Sequence, residues 1–279
     1  MMPHVFSPIR TIELVAWNFD AYKPRPESFD QEKPAKARDL VFQRRLDHCS
    51  SALCEEETRL LRDTFDVQLS RHDLQAEMRD LDWSLGVVDL RRLLAFQRRV
   101  SFDSTLPAMT VPSQCDWGGL SEIAFASPNP VVCDVIHNSE KKTVTLQSKN
   151  PNVQFRVTQD PAMPVAVYTG TPFFEVAQYA GRWFLRDGYH RAYNLLRAGI
   201  FRLPAVIVRA RTLEELGAAK PRHFSEAILL SERPPFVTDF LNESLTIEYD
   251  RHPIIKTLHI TMEESFIFPL PIEISGEQL

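Results

Sequence analysis

A cluster of polar residues, Asp187-Gly188-Tyr189-His190-Arg191, lies between two apolar segments of the chain. The pattern after Gly188 is helical, and the first turn of a helix exposes unpaired amide N–H groups and the positive end of the helix dipole. His190 and Arg191 are unfavourable beside that positive end, so a negative group should compensate them. Two interpretations stay open: Asp187 compensates them as a cap or ion-pair partner, or the phosphate oxygens of a ligand do so.

The residues on either side of this cluster predict a hairpin, a tight turn and a helix. The segments FFEVAQY and RWFLRD flank Ala180-Gly181, which is typical of a β-hairpin. A helix is predicted from Tyr189 to Ala198, with one apolar face and one polar face. The apolar face comprises Ala192, Leu195, Leu196 and Gly199, and the polar face comprises His190, Asn194 and Arg197. Gly188 suits a close strand-to-helix reversal, and Gly199 suits the position after a helix end.

The composition is that of a globular protein with its own hydrophobic core. The chain has 279 residues, of which 44% are hydrophobic and 25% are charged. No apolar run approaches the roughly 20 residues that cross a bilayer. The N-terminal residues lack the basic and apolar regions of a signal peptide, so we expect a cytoplasmic protein without a membrane partner.

Four cysteines, at positions 49, 54, 115 and 133, suggest neither a disulfide framework nor a metal site. His48, Cys49 and Cys54 are near one another in sequence, but no second ligand pair has a zinc-like spacing. We therefore predict no metal ligands here and interpret the cluster at residues 48–54 as small apolar residues on a helix.

The charge of the chain is distributed unevenly. The formal net charge is −5, which argues against a surface built throughout for duplex DNA. Residues 182–222 contain nine Lys or Arg against three Asp or Glu, whereas residues 223–279 contain three against ten. The basic segment 182–222 is either ordinary solvated charge or a local positive field for an anion.

The remaining patterns predict an α+β protein with a helical N-terminal part. We expect residues 1–79 to form a strand and a helical extension, residues 80–222 to form the core, and residues 223–279 to form an acidic, strand-rich segment. The predicted helices lie between residues 35 and 78 and at 212–219, and residues 101–140 are expected to be mostly loop. The predicted strands are 11–17, 82–90, 164–170, 203–208, 245–249 and 265–274, with a further hairpin over 143–158.

The segment RWFLRDGYHRAYNLLRAGIFRLPAVIV, residues 182–208, resembles the signature of the ParB/sulfiredoxin superfamily. That signature is a strand, a Gly-x-(His/Arg)-Arg turn opening a helix, a glycine ending the helix, and a further strand. A Pro-containing segment and a hairpin before the signature also fit, with Pro172 as the proline. The resemblance covers residues 164–210, and extends over 80–220 with large insertions if VVDLRRLLAFQ (87–97) is the opening strand.

The resemblance implies a ParB/sulfiredoxin-like mixed sheet with helices and a nucleotide site at the turn. Gly188, His190 and Arg191 would hold the phosphates of ATP or CTP, with Mg²⁺ as a candidate companion ion. Tyr189 and Asn194 belong to the same turn and helix, and a second wall of the site would come from Thr169, Gly170 and Thr171.

Two departures from the family narrow what this resemblance implies. Sulfiredoxins carry a catalytic cysteine where this chain has Tyr189, which argues against reduction of a sulfinic acid. ParB partition proteins carry Glu-Arg-Arg after the glycine and a downstream helix-turn-helix, whereas here Tyr-His-Arg precedes an acidic, strand-rich segment.

Three functions therefore stay open. The first is a nucleotide-dependent phosphotransferase or a nuclease-like enzyme, with Arg191 stabilising phosphate charge and His190 acting as general acid or base. Asp187 would orient His190 or bind Mg²⁺, and the sequence identifies no acidic residue as the base. The second is a nucleic-acid-associated regulator that uses residues 182–222, and the third is an inactive protein-interaction module. The sequence leaves the oligomeric state open.

Overall fold

The computed structural model describes residues 8–26, 32–44, 50–103, 109–127, 131–150, 153–157, 165–168, 170–261, 263 and 265. The chain divides into two compact units, the first formed by residues 1–129 and 171–253 and the second by residues 130–170 and 254–279. In the described residues, no helix is both long and apolar enough to span a bilayer. The protein is of the mixed α+β type, as predicted.

The strands and helices alternate irregularly along the chain. The strands are β1 Ile9–Leu14, β2 Trp83–Asp89, β3 Leu94–Ala95, β4 Arg99–Asp103, β5 Asp134–Asn138, β6 Thr143–Ser148, β7 Gln154–Val157, β8 Val165–Tyr168, β9 Glu175–Tyr179, β10 Arg182–Asp187, β11 Arg202–Arg209, β12 Thr246–Arg251 and β13 Lys256–Thr261. The helices are α1 Lys33–Gln43, α2 Glu55–Leu60, α3 Arg62–Leu69, α4 His72–Glu77, α5 Trp117–Ala124, α6 Tyr189–Arg197, α7 Leu213–Leu216 and α8 Glu226–Leu229. Short 3₁₀ helices cover Leu90–Arg92 and Val237–Leu241.

The centre of the first unit is a five-stranded sheet in the order β2-β11-β9-β10-β3. The pairs β11–β9 and β10–β3 are parallel, and the other pairs are antiparallel. Six consecutive residues of β11, Leu203 to Val208, are buried, as expected of a strand that is covered on both faces. The same unit holds a three-stranded antiparallel sheet in the order β12-β1-β4.

Several predicted elements are confirmed. The hairpin around Ala180-Gly181 is formed by β9 and β10, and both turn residues have positive φ, as tight two-residue turns require. The predicted helix after Gly188 is α6, and the predicted strands 82–90 and 203–208 are β2 and β11. The helices expected between residues 35 and 78 are α1 to α4.

The predicted hairpin over residues 143–158 is wrong. In the second unit β6 pairs with β5 and β13, while β7 pairs with β8. Residues 139–142 form the turn between β5 and β6, with Lys142 at a φ of +47°. The hairpin therefore forms across this short connection and not across the longer one between β6 and β7. The sequence of β5, DVIHN, has its two apolar residues side by side, so it gave no alternating apolar signal, and all five residues are exposed.

Helix α5 lies within residues 101–140, which were expected to be mostly loop. Its sequence, WGGLSEIA, contains two glycines that weaken the helical pattern. The overlooked signal is Asp116, whose side chain accepts a hydrogen bond from the Gly119 amide at the start of the helix. Leu120 and Ala124 bury the inner face of α5, and the segment that follows it reaches Phe173 through an isolated bridge from Phe125.

The predicted division of the chain into three parts at residues 79 and 222 stays a prediction. The two compact units are divided elsewhere, after residues 129, 170 and 253. Strand β12, from the segment expected to be a separate acidic tail, pairs with β1 near the N-terminus. The predicted strand 265–274 lies outside the described residues, apart from residue 265.

Candidate functional site

The turn between β10 and α6 begins at a β-bulge. Val176 of β9 pairs with Leu185 of β10, and the residue before it, Glu175, pairs with Asp187. Arg186 is therefore an extra residue on β10. Two residues of β10 therefore lie opposite one residue of β9. This arrangement brings Arg186 and Asp187 beside Glu175, immediately before the glycine that opens α6.

Gly188 is required by both its backbone and its surroundings. Its φ of +101° lies in the left-handed region, which side chains other than glycine rarely adopt. A Cβ at this position would lie 2.5 Å from Cδ2 and 2.9 Å from Cε2 of Phe174. Phe174 is fully buried and cannot move aside cheaply. Gly188 therefore allows the chain to turn directly against the core.

Tyr189 anchors the first turn of α6 to the core and is not exposed to a ligand. The residue is 4% exposed. Its hydroxyl donates to the Leu185 carbonyl at 3.0 Å and accepts from the Phe96 amide at 3.0 Å and the Gln97 amide at 3.4 Å. Burial raises the pKa of the Tyr189 hydroxyl above its usual range.

The Tyr189→Phe variant is expected to lose about 2 kcal/mol of unfolding free energy, because the Leu185 carbonyl and Phe96 amide would stay buried without their partner. Urea denaturation measures the loss. The matched control is Tyr179→Phe, whose hydroxyl bonds to Glu226 at an exposed position and should cost about 0.5 kcal/mol or less. Equal losses in the two variants would contradict the anchoring role of Tyr189.

His190 is exposed and is held by one hydrogen bond. Its Nε2 lies 2.5 Å from the Ser101 carbonyl oxygen on β4, and its ring meets that of Phe102 edge-on at 5.2 Å. Because a carbonyl only accepts, Nε2 carries a proton, and Nδ1 is the acceptor of the neutral ring. Partial removal of water lowers the pKa of His190, and the Ser101 carbonyl opposes this shift. His190 is thus an exposed residue of the turn that can take part in acid–base chemistry.

The guanidinium of Arg191 is directed into the protein. Nη1 donates to the carbonyls of Ile123, at 3.1 Å, and Pro172, at 2.6 Å, while Nη2 donates to that of Phe173 at 2.7 Å. Nη2 also lies 3.6 Å from Oδ1 of Asp187. Burial lowers the pKa of Arg191, and the Asp187 carboxylate opposes this shift. Arg191 therefore joins α6 to the end of α5 and to the segment before β9.

Asp187 and Asn194 are partly accessible neighbours of the turn. The Asp187 side chain is 41% exposed. Desolvation raises the pKa of Asp187, whereas Arg191 and the Gly188 amide lower it. No side chain caps α6 through a hydrogen bond at its N-cap, which leaves the first-turn amides without that kind of acceptor. Asn194 is half-buried one turn further along α6.

A buried carboxylate, Glu175, accompanies the turn and was not predicted from the sequence. The residue has no exposed surface, and Oε2 forms an ion pair with Nη1 of Arg186. The other oxygen, Oε1, is buried without a hydrogen-bond partner among the described residues. Burial raises the pKa of Glu175 to about 7, and Arg186 opposes this shift. A lone Glu inside an apolar strand was the available signal, since such a residue is rarely buried unpaired.

The predicted second wall of the site is described only in part. The Thr171 hydroxyl oxygen accepts a hydrogen bond from the Phe173 amide at 3.1 Å. The same hydroxyl group, by hydrogen bonding to the Glu175 carboxylate, lowers the pKa of Glu175 against the larger effect of burial. Thr171 therefore belongs to the surroundings of Glu175. Thr169 lies outside the described residues, and Gly170 belongs to the second unit of the chain.

More than half of the cations in the basic segment 182–222 make contacts within the protein. Arg182 donates to the carbonyls of Leu229, Leu230 and Ser231. Arg202 pairs with Glu57, and Arg209 pairs with Asp82. With Arg186 and Arg191 also engaged, these contacts account for five of the nine cations. A continuous basic strip for nucleic acid is therefore not favoured by the side-chain positions.

The cysteine and histidine cluster gains no support as a metal site. His48 and Cys49 lie outside the described residues, and Cys54 is half-buried before α2, where burial raises the pKa of its thiol. In the described part of the chain, no group of three or more His, Cys, Asp or Glu side chains is placed to hold a metal ion. Asp187 faces Arg191 and Glu175 faces Arg186, so no Mg²⁺ ligand set is assembled there from described residues.

Comparison with models of protein families, with curated proteins and with solved structures gave no match to this chain.

Proposed function

We propose that the chain binds a phosphate-containing ligand, foremost a nucleoside triphosphate such as ATP or CTP, at the N-terminus of α6. The observation that carries this proposal is the uncapped first turn of α6. Gly188 supplies no capping side chain, and the amides that follow it lie at the positive end of the helix. A phosphate oxygen is the kind of acceptor that such amides take.

The side chains around this turn support roles for Arg191 and His190 that differ from those expected from the sequence. Arg191 fixes the position of α6 through three carbonyls and does not itself grip phosphate. His190 is exposed beside the amides, and because its Nε2 donates to the Ser101 carbonyl, its Nδ1 would accept a hydrogen bond from a hydroxyl group of the ligand. Asp187 lies next to it with a partly exposed carboxylate. The proposed contacts are therefore the amides of the turn and His190.

We further propose membership of the ParB/sulfiredoxin superfamily and a phosphoryl-transfer or phosphodiester-hydrolysis reaction. The order of hairpin, Gly188 turn, α6 and β11 supports the family, and a cytoplasmic location remains the matching expectation. His190 is the candidate general acid or base, because neutral His190 accepts a proton at Nδ1 while Nε2 stays bonded to Ser101. If Mg²⁺ takes part, it would arrive bound to the nucleotide, because the described residues assemble no group of metal ligands.

Calorimetric titration of the purified protein with ATP, CTP and GTP tests the binding. We expect binding by the wild type and an affinity about fivefold lower in His190→Ala, because one hydrogen bond accepted at Nδ1 contributes about 1 kcal/mol. The matched control is His72→Ala, which removes another exposed histidine from the first turn of a helix, α4. The proposal fails if no nucleotide binds, or if the two histidine variants lose affinity equally.

A further inference from the structure

Four charged groups meet at the bulge that precedes α6. Glu175 lies opposite Arg186 and Asp187 on the neighbouring strand, and Arg191 reaches Asp187 from α6. With both carboxylates ionised, the two acids balance the two arginines. Burial lowers the pKa of Arg191, and the negative charge of Glu175 opposes this shift together with that of Asp187. This balance leaves no net positive charge for an incoming anion.

Glu175 is the member of this cluster that is poised to change its charge. Its carboxylate is fully buried, and Oε1 lacks a hydrogen-bond partner in the described part of the chain. A proton added to Oε1 would give the cluster a net charge of +1 and free the Arg186 guanidinium from its ion pair. The Arg186 side chain is 20% exposed, and its Nε donates to the Glu215 carbonyl. Arg186 would then be a cation without an acidic partner, two residues before the glycine that opens α6.

We propose that Glu175 and Arg186 form a proton-controlled half of the anion site, so that an anion binds at the α6 turn together with one proton on Glu175. This inference rests on the proposed function, because it concerns the same site. The proton comes from solvent and adds to the Glu175 carboxylate, and Arg186 redirects its charge to the anion. No bond to the anion is made or broken. The ligand class is a dianion such as sulfate or a phosphate ester.

The sign of the pH dependence follows from Glu175. Its pKa is about 7 in the folded protein and 4.5 ordinarily. An anion that needs the protonated form should bind with constant affinity below about pH 6, and its Kd should rise about tenfold per pH unit well above pH 7. The groups that face Glu175 are Arg186 and Asp187 on β10, Arg191 on α6 and Glu77 on α4.

Sulfate is the probe that tests this linkage, because its charge is constant from about pH 5.5 to about pH 8.5, unlike that of phosphate. Calorimetry in two buffers of different ionisation enthalpy counts the protons. We expect uptake of about one proton per sulfate at about pH 8.5 and close to none at about pH 5.5. Glu175→Gln, which imitates the protonated acid, should bind sulfate with the same affinity at both pH values.

Two control variants separate Glu175 from the other titrating groups. Glu77→Gln and His190→Ala should retain the dependence on pH, whatever their absolute affinities. The unfolding free energy of the ligand-free wild type should also carry a component that falls as pH rises from about 4.5 to about 7, since the raised pKa favours folding only where Glu175 is protonated. Glu175→Gln should lack this component.

The outcomes distinguish this inference from the function on which it rests. Sulfate or nucleotide binding without proton uptake, or with the same pH dependence in Glu175→Gln, overturns the inference and leaves the binding site. If Glu175→Gln does not fold, proton uptake by the wild type and by His190→Ala decides the same question. Absence of sulfate and nucleotide binding over the whole pH range overturns both.

Discussion

Replacement of Gly188 by alanine is expected to lower the unfolding free energy by about 2 to 5 kcal/mol. The left-handed backbone costs about 1 to 2 kcal/mol for any residue with a Cβ. The clash of that Cβ with the ring of Phe174, 2.5 Å away, adds a further cost of about 1 to 3 kcal/mol. Urea denaturation followed by circular dichroism measures the sum.

The matched control for this prediction is Gly199→Ala. Gly199 has a φ of +77° at the other end of α6, and nothing lies within 4 Å of the Cβ that alanine would add. This variant should therefore lose only the backbone contribution of about 1 to 2 kcal/mol. Equal losses in the two variants would mean that Phe174 yields to the added methyl group.

Replacement of Arg191 by alanine is expected to cost about 3 to 5 kcal/mol. Three carbonyl oxygens, from Ile123, Pro172 and Phe173, would lose their donors, and Asp187 would lose its counter-charge. Buried groups without partners carry most of this cost. Arg197→Ala provides the control, because Arg197 lies exposed in the last turn of the same helix and should change stability by no more than about 0.5 kcal/mol.

Arg191 also determines how a binding experiment should be interpreted. A phosphate-gripping arginine could be replaced with little loss of stability, whereas the arginine observed here joins three segments of the chain. If Arg191→Ala unfolds as easily as Arg197→Ala, the carbonyl contacts are not important for stability. If Arg191→Ala is strongly destabilised, its loss of nucleotide binding has a structural cause, and His190→Ala is the informative variant.

The local elements around the turn could be predicted because short-range patterns determine them. The spacing of Ala192, Leu195 and Leu196 predicts α6, and the Ala180-Gly181 turn predicts the hairpin before it. Gly188 and Gly199 occupy the places that a reversal and a helix end require. The general α+β class follows from the same patterns.

The contacts of the turn could not be predicted, because they come from distant parts of the chain. Arg191 finds its carbonyls at residues 123, 172 and 173, and Tyr189 finds its amides at residues 96 and 97. The bulge that places Arg186 and Asp187 opposite Glu175 has no sequence signature of its own. The sequence shows which residues are polar, whereas tertiary packing decides whether they face a ligand or a carbonyl.

The pairing of β1 with both β4 and β12 has a consequence for how the first unit assembles. Strand β1 is the middle strand of its sheet, yet its partner β12 lies more than two hundred residues away in sequence. Contacts over such separations require a large loop to close before they are stabilised, so they form late. During synthesis β4 can pair with β1 early, whereas the other edge of β1 stays open until β12 has been made. This sheet therefore closes after the hairpin and the turn at Gly188 are available to fold.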